Sequence, residues 1–299
     1  MHRRALLAVA LAALACGPVA LAQQPATDTS TRNPVPGPRS LKVLTFNIHH
    51  AEGEDGTLDV PRVAQVIRDS AADIVALQEV DRGAERTARR DLLKEIADLA
   101  GLRFAFGKNI DLQGGDYGNA VLTRFPIVSE GNRLLPLVDG GEQRGVLQVV
   151  LDVEGTQVLV LATHFDHRRA DAQRVASAEA MLAMLQAWGD RPAIALGDFN
   201  DVPGSATYQA LTGGYRVPGA GFGNTEGRAG SPSPANTTQS GLVDVWAAVG
   251  KGDGFTIPVA APTKRIDWIL VRGLVPESAE VLKTDASDHL PVLGVVKTR

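Results

Sequence analysis

Residues 194–201 (IALGDFND) place a carboxylate, Asp198, and a carboxamide, Asn200, two positions apart where an apolar run ends. Alternate residues of an extended chain point to one side, so the two groups can converge on one point. A carboxylate takes a proton and a carboxamide orients; together they suit holding a water or a phosphate oxygen. Gly197 reads as the residue that lets the chain turn tightly there. Asp and Asn are also ordinary turn residues, so the pair gains meaning from its company. Asn47 sits at the end of the strand read over 41–46, and Glu79 comes just after the apolar run 74–77. His164 follows 158–161, Asp267 is embedded in 266–271, and Asp288-His289 opens the last apolar run. Each alone has a plain reading: Asn47 a strand terminator, His164 a core histidine, Asp267 a partner for Arg265, Asp288 a cap. Six such placements together point to a site.

Carboxylates and amides without thiols make a hard oxygen site, which favours Mg²⁺, Mn²⁺ or Ca²⁺ over zinc. The sequence has no H-E-x-x-H, G-x-S-x-G or P-loop pattern. Histidines beside an oxygen-ligated cation suit phosphodiester cleavage, because both offset charge on the phosphoryl oxygens. A buried Asp beside His289 would hold the ring and favour its protonated form.

These groups need strands that end together. Residues 41–46, 74–77, 120–123, 145–151, 158–161, 194–197 and 266–271 read as strands, and Gly155-Thr156 as the turn of a hairpin. Phe104 and Phe106 begin another. Asp59 should cap a helix with Pro61 in its first turn. A longer helix over 170–187 carries Val175, Ala178, Met181, Leu182 and Leu185 as its apolar face. Arg82, Arg86, Arg89, Arg90 and Lys94, interleaved with Glu85, Asp91 and Glu95, read as a charged helix face with pairs such as Glu85–Arg89. A phosphate-facing Arg82 is the minor alternative. The pattern predicts an α+β fold: two packed, mostly antiparallel sheets with helices outside, which buries strands on both faces.

The chain has 299 residues, 44% hydrophobic and 21% charged, an ordinary globular composition. His2, Arg3 and Arg4 precede an apolar run, and Ala20-Leu21-Ala22 is an A-x-A site. Residues 1–22 therefore read as an export signal, which predicts a periplasmic or secreted protein. Residues 23–40, with four prolines, read as a disordered linker before a domain over 41–299. Cys16 is the sole cysteine; cleavage removes it, whereas a lipoprotein would keep it as an acylated anchor. Cleavage takes Lys+Arg from 30 to 28 against 34 Asp+Glu, moving the net charge from −4 to −6. That argues against tight non-specific nucleic-acid binding. Residues 213–240 form a long polar loop, too polar for a lipid-inserting hairpin.

The segments Thr45-Phe46-Asn47, Leu77-Gln78-Glu79-Val80, Thr163-His164, Gly197-Asp198-Phe199-Asn200, Arg265-Ile266-Asp267-Trp268 and Ser287-Asp288-His289 resemble, in order, the motifs of the endonuclease/exonuclease/phosphatase superfamily. That group includes deoxyribonuclease I, abasic-site endonucleases, inositol polyphosphate 5-phosphatases and neutral sphingomyelinases. The resemblance spans roughly residues 41–297 and implies a four-layer α/β/β/α sandwich. It implies Glu79 as principal ligand of Mg²⁺ or Mn²⁺, with Asn47 and Asp288 close to the ion. It further implies Asp198 as the group that orients or deprotonates water, helped by Asn200. His164 would bind a phosphate oxygen, and His289 paired with Asp267 would assist in the transition state. His49, His50, Asn119, Asp166-His167 and Arg144 are given no role by the motifs; Arg144 reads equally as a phosphate contact or a surface pair. The expectation is an exported metal-dependent phosphodiesterase acting on a nucleotide, nucleic acid or lipid headgroup, with no obligate protein partner and no transmembrane span. A nuclease or a phosphomonoesterase is the alternative, and a non-catalytic binding module the rival class.

Overall fold

The computed structural model describes residues 37–213 and 241–299. The expected signal, Cys16, most of the linker and the polar loop after Gly213 lie outside the described residues. The first strand starts at Ser40, inside the expected linker.

One sheet holds β1 (Ser40–Asn47), β2 (Ile74–Arg82), β3 (Arg103–Leu112) and β4 (Gly115–Thr123). The other holds β5 (Ile127–Leu134), β6 (Gly145–Val153), β7 (Thr156–His164), β8 (Ala193–Asp198), β9 (Val243–Asp244) and β10 (Asp267–Arg272). The chain then returns to the first sheet with β11 (Leu274–Val281) and β12 (Val292–Thr298). The orders are β11-β12-β1-β2-β4-β3 and β5-β6-β7-β8-β10-β9. Each sheet has one parallel pair at its centre, β1 with β2 and β7 with β8; the other pairings are antiparallel.

Three apolar cores define four layers. Leu41, Val43, Ile74, Val160, Ile194 and Ile269 meet between the sheets. Leu44, Phe46, Val75 and Leu77 face α1 (Val60–Ser70) and α2 (Leu92–Ala100). Leu159, Leu161, Ala195 and Trp268 face α3 (Ala172–Trp188) and α4 (Ala206–Thr212); a short α5 (Val245–Val249) follows β9. Asp59 accepts from the Arg62 N–H at 2.9 Å and starts α1 as expected. On α3 the buried face takes in Met184 while Val175 and Leu182 stay half-buried, because Gln173, Arg174 and Ser177 occupy its first turns facing inward.

The charged stretch over 82–95 is not one helix. Arg82 ends β2, and Gly83, Ala88 and Arg89 take positive φ (79°, 53° and 57°), which limits the stretch to one short 3-10 turn, Glu85–Thr87, before Asp91 caps α2. The charges pair around the turn and along α2 instead. Arg82 pairs with Asp91, Arg86 with Asp81, Arg90 with Glu95 and Lys94 with Asp98, which also leaves Arg82 turned to a carboxylate. Glu85 and Arg89 stay within 3.8 Å.

Candidate active site

Period-two alternation carries the inter-sheet face to the strand ends. Val43 packs between the sheets, so Thr45 and Asn47 share its side. By the same count Ala162 leads to His164, Leu196 to Asp198, and Ile269 back to Asp267. All four end residues are buried, and β1, β7, β8 and β10 deliver them to one end of the sandwich. Gly197 lies inside β8, paired with Thr163 and Trp268. The expected tight turn is absent: a Cβ there would run into the Thr163 carbonyl oxygen, so glycine permits close approach of β7.

Two residues reach the site by leaving the regular path. Glu79 sits in a bulge of β2, at φ 59°, where the register against β4 shifts between Leu77 and Val80. Such a bulge re-aims a side chain. Asn200 takes φ 50°, so it converges with Asp198 through a left-handed kink rather than through extended alternation. Its N–H donates to Asp198 Oδ1 at 2.9 Å.

The groups form a connected cluster. Asn47 Nδ2 donates to Glu79 Oε1 at 3.0 Å and to Asp198 Oδ2 at 3.1 Å. Asp198 Oδ2 lies 3.4 Å from His164 Nε2 and 3.8 Å from His289 Nε2. His289 Nδ1 is 3.0 Å from Asp267 Oδ2, which also accepts from Thr256 Oγ1 at 2.5 Å. Arg265 instead pairs with Asp244 at 2.8 Å, which removes it as a partner for Asp267. Asp288 stands at the edge: Ser287 Oγ donates to the Asn47 carbonyl at 2.7 Å and contacts Asp288 Oδ1 at 3.3 Å. Behind the cluster, Phe199 stacks on Trp268 at 4.6 Å, with Phe165 and Tyr208 edge-on around them. His164, Asp198 and Asn200 each adjoin a ring of this packed group in sequence, which holds their backbone in place.

Burial raises Asp198 well above the usual carboxylate range, and the nearby Asp267 adds to it, against opposing hydrogen bonds from Asn200 and Asn47. Burial opposes charge on His289, but Asp267, then Asp198 and Asp288, outweigh it and push the ring up to about 10. His164 moves the other way: burial lowers it well below the ordinary value, and the Arg144 guanidinium lowers it further.

A polar cleft of about 220 Å³ opens over Glu79, Asp198, Asn200, His164 and His289. A larger groove of about 820 Å³, between Trp246 and Glu280, gathers no comparable set of groups. Tyr117, Glu142, Arg144 and His167 complete the cleft wall. Arg144 is only 3% exposed, so it is no surface pair. Tyr117 and Glu142 were not among the expected site residues. Counting by twos from Val121 puts Tyr117 on the inter-sheet face, so alternation could have found it; burial raises its hydroxyl, helped by Glu79, so it stays protonated. Glu142 precedes β6 in a loop and carries no such signal. Asn119 is buried, and its Nδ2 donates to the Gly145 carbonyl at 3.0 Å. Asp166 is buried against Arg168 at 3.0 Å. His49 and His50 form a left-handed turn at φ 43° and 44° beside Asn47, with His50 buried.

Two donor sets bear on a metal. One atom each from Asp198, Asp267 and His289 lies within 4.8 Å of the others, although Asp267 Oδ2 and His289 Nδ1 already engage one another. Glu79 faces the cleft, and its one side-chain hydrogen bond among the described residues comes from Asn47. Its remaining oxygen capacity fits a hard cation.

The two-sheet sandwich gathers carboxylates, carboxamides and imidazoles at one end. The family model described as Endonuclease/Exonuclease/phosphatase family matches residues 44–289, and the chain belongs to that family. Its members hydrolyse phosphate esters. YbhP of Escherichia coli K12, described as uncharacterized, is 30% identical over 273 residues, covering 85% of this chain and 94% of that protein. An endonuclease/exonuclease/phosphatase structure from Beutenbergia cavernae DSM 12333 matches at TM-score 0.63 and 26% identity, over 87% of this chain and 72% of that one. A mannosyl-6-phosphatase of Bacteroides thetaiotaomicron VPI-5482 shares the fold at TM-score 0.66 and 21% identity, over 86% of this chain and 99% of that one.

Proposed function

We propose that the chain is an exported, divalent-metal-dependent phosphodiesterase. The observation that carries this reading is the position of Asp198, bonded to Asn47 on one side and facing His164 and His289 on the other. Glu79, Asn47 and Asp288 would hold Mg²⁺ or Mn²⁺, which when bound would offset charge on a phosphoryl oxygen and acidify water.

The residues then divide the work. Asp198, with its raised proton affinity, takes a proton from the attacking water near neutral pH, and Asn200 orients that water. His289 stays an imidazolium, held by Asp267, and places positive charge against the developing phosphorane oxygens. His164, kept neutral, has Nδ1 against Arg144 and Nε2 against Asn200, so a phosphate oxygen would take the Nε2 side in place of the carboxamide. The basic start, apolar run and A-x-A site of residues 1–22 support export. The acidic balance places small diesters and lipid headgroups ahead of duplex nucleic acid as substrate.

A monoester is the second reading. Arg144, His164 and His167 at one end of the cleft suit the extra charge of a terminal phosphate, and one structural neighbour is named a phosphatase. Hydrolysis of bis-p-nitrophenyl phosphate and p-nitrophenyl phosphate, with Mg²⁺ or Mn²⁺ and then with EDTA, decides between them. Chelator-sensitive cleavage of the diester is the expected result. Cleavage of the monoester alone would replace the reading with a phosphatase. Inactivity on both, with no metal binding by calorimetry, would leave a binding module.

A further inference from the structure

Arg144 lies between two histidines. Its Nη1 is 3.1 Å from His164 Nδ1 and its Nη2 is 3.3 Å from His167 Nδ1. The guanidinium is buried, with Glu142 Oε1 at 3.1 Å from Nη1. Arginine only donates and does not lose its proton in proteins. Each Nδ1 it faces must therefore offer a lone pair, and a ring with a lone pair on Nδ1 is neutral and carries its hydrogen on Nε2. One cation thus favours the same tautomer in two rings.

At His164 a second contact tests this logic. Asn200 Nδ2 lies 2.9 Å from Nε2 and 3.1 Å from the Phe165 carbonyl. Two donors cannot satisfy one neutral ring. The Phe165 carbonyl holds the Asn200 carboxamide with its N–H toward the ring, so Arg144 and Asn200 compete to set the tautomer of His164. His167 carries no such conflict: it is exposed at the rim of the cleft, and its one side-chain hydrogen bond among the described residues is to Arg144.

We infer that His167 is a substrate-contacting residue whose Nε2–H donates to a non-bridging phosphate oxygen, and that Arg144 is the positioning residue that holds it in that tautomer. This deepens the phosphate-ester reading and rests on it. It assigns the part of the cleft wall around Arg144 and His167 to the anionic oxygens of the substrate.

The test needs no turnover. Long-range ¹H–¹⁵N NMR of the full ¹⁵N-labelled chain at pH 7, with His167 assigned through His167→Gln, should show a single Nε2–H tautomer. Inorganic phosphate added to that sample should shift the Nε2–H signal. An Nδ1–H tautomer, a mixture or an imidazolium at His167 would overturn the role of Arg144. A His167 signal indifferent to phosphate would overturn the substrate contact. In folded Arg144→Met the ring should relax to a tautomer mixture, and an unchanged ring would count against positioning. Where an ester is turned over, His167→Gln keeps an N–H near the Nε2 position and should raise KM less than His167→Asn does. His167→Asn should raise it roughly ten- to a hundredfold, the scale of one hydrogen bond to a charged group. Failure of ester hydrolysis with an intact Nε2–H tautomer would sink the enzymatic reading and leave the positioning in place.

Discussion

The two sheets are built alike and contribute differently. Each has six strands with a parallel pair at its centre, and each central pair ends at the cleft. The first sheet brings Asn47 and Glu79, oxygen-bearing groups, through a β-bulge and beside a left-handed turn. The second brings His164, Asp198 and Asp267 straight off regular strands, backed by an aromatic cluster. The difference lies in how each sheet aims its groups. The first sheet uses backbone irregularity to turn Glu79 into the cleft. The second delivers His164, Asp198 and Asp267 from regular register, and only Asn200, just past β8, leaves it at φ 50°.

The sharpest way to break this comparison is to remove the proposed proton handling, at Asp198 on β8 of the second sheet and at His289 just before β12 of the first. Asp198→Ala and His289→Ala should each lower kcat by about 10²–10⁴-fold, the range of general acid–base catalysis, with circular dichroism unchanged. Near-normal rates in both would dissolve the assignment. Next in size is the aromatic support. Phe199→Ala should cost about 3–5 kcal/mol in urea unfolding and lower kcat as well, since Asp198 and Asn200 flank it. A stability loss with full activity would show that packing does not position the site. On the first sheet, Glu79→Gln should raise the metal concentration for half-maximal activity by about tenfold or more while leaving the melting temperature near wild type. An unchanged metal dependence would move the ligand role to the Asp198, Asp267 and His289 group. Smallest of all, Lys94→Ala breaks a solvent-exposed pair with Asp98 and should leave both activity and melting temperature where they were.

Much of this was readable from the chain. Apolar runs closed by Asn47, His164 and Asp198 named both the strands and the groups at their ends, because a period of two places every second residue on the buried face. The cap at Asp59 was equally local, since one side chain and one N–H three residues on decide it. The charged stretch from Arg82 to Glu95 misled because its spacing fits a helix, while positive φ at Gly83, Ala88 and Arg89 folds it into a turn. Nothing local announces that two non-glycine residues will take that conformation.

The sequence by itself determined which residue types close the strands, and hence a hard, oxygen-rich, thiol-free site of hydrolytic character. Only the tertiary structure decided that Glu79 turns into the cleft, that Asp267 holds His289 rather than Arg265, and that Arg144 is buried between His164 and His167. Each of these depends on contacts between segments far apart in the chain. A side chain's partner, its burial and its proton are set by what packs against it, and those neighbours become specific only when the two sheets meet.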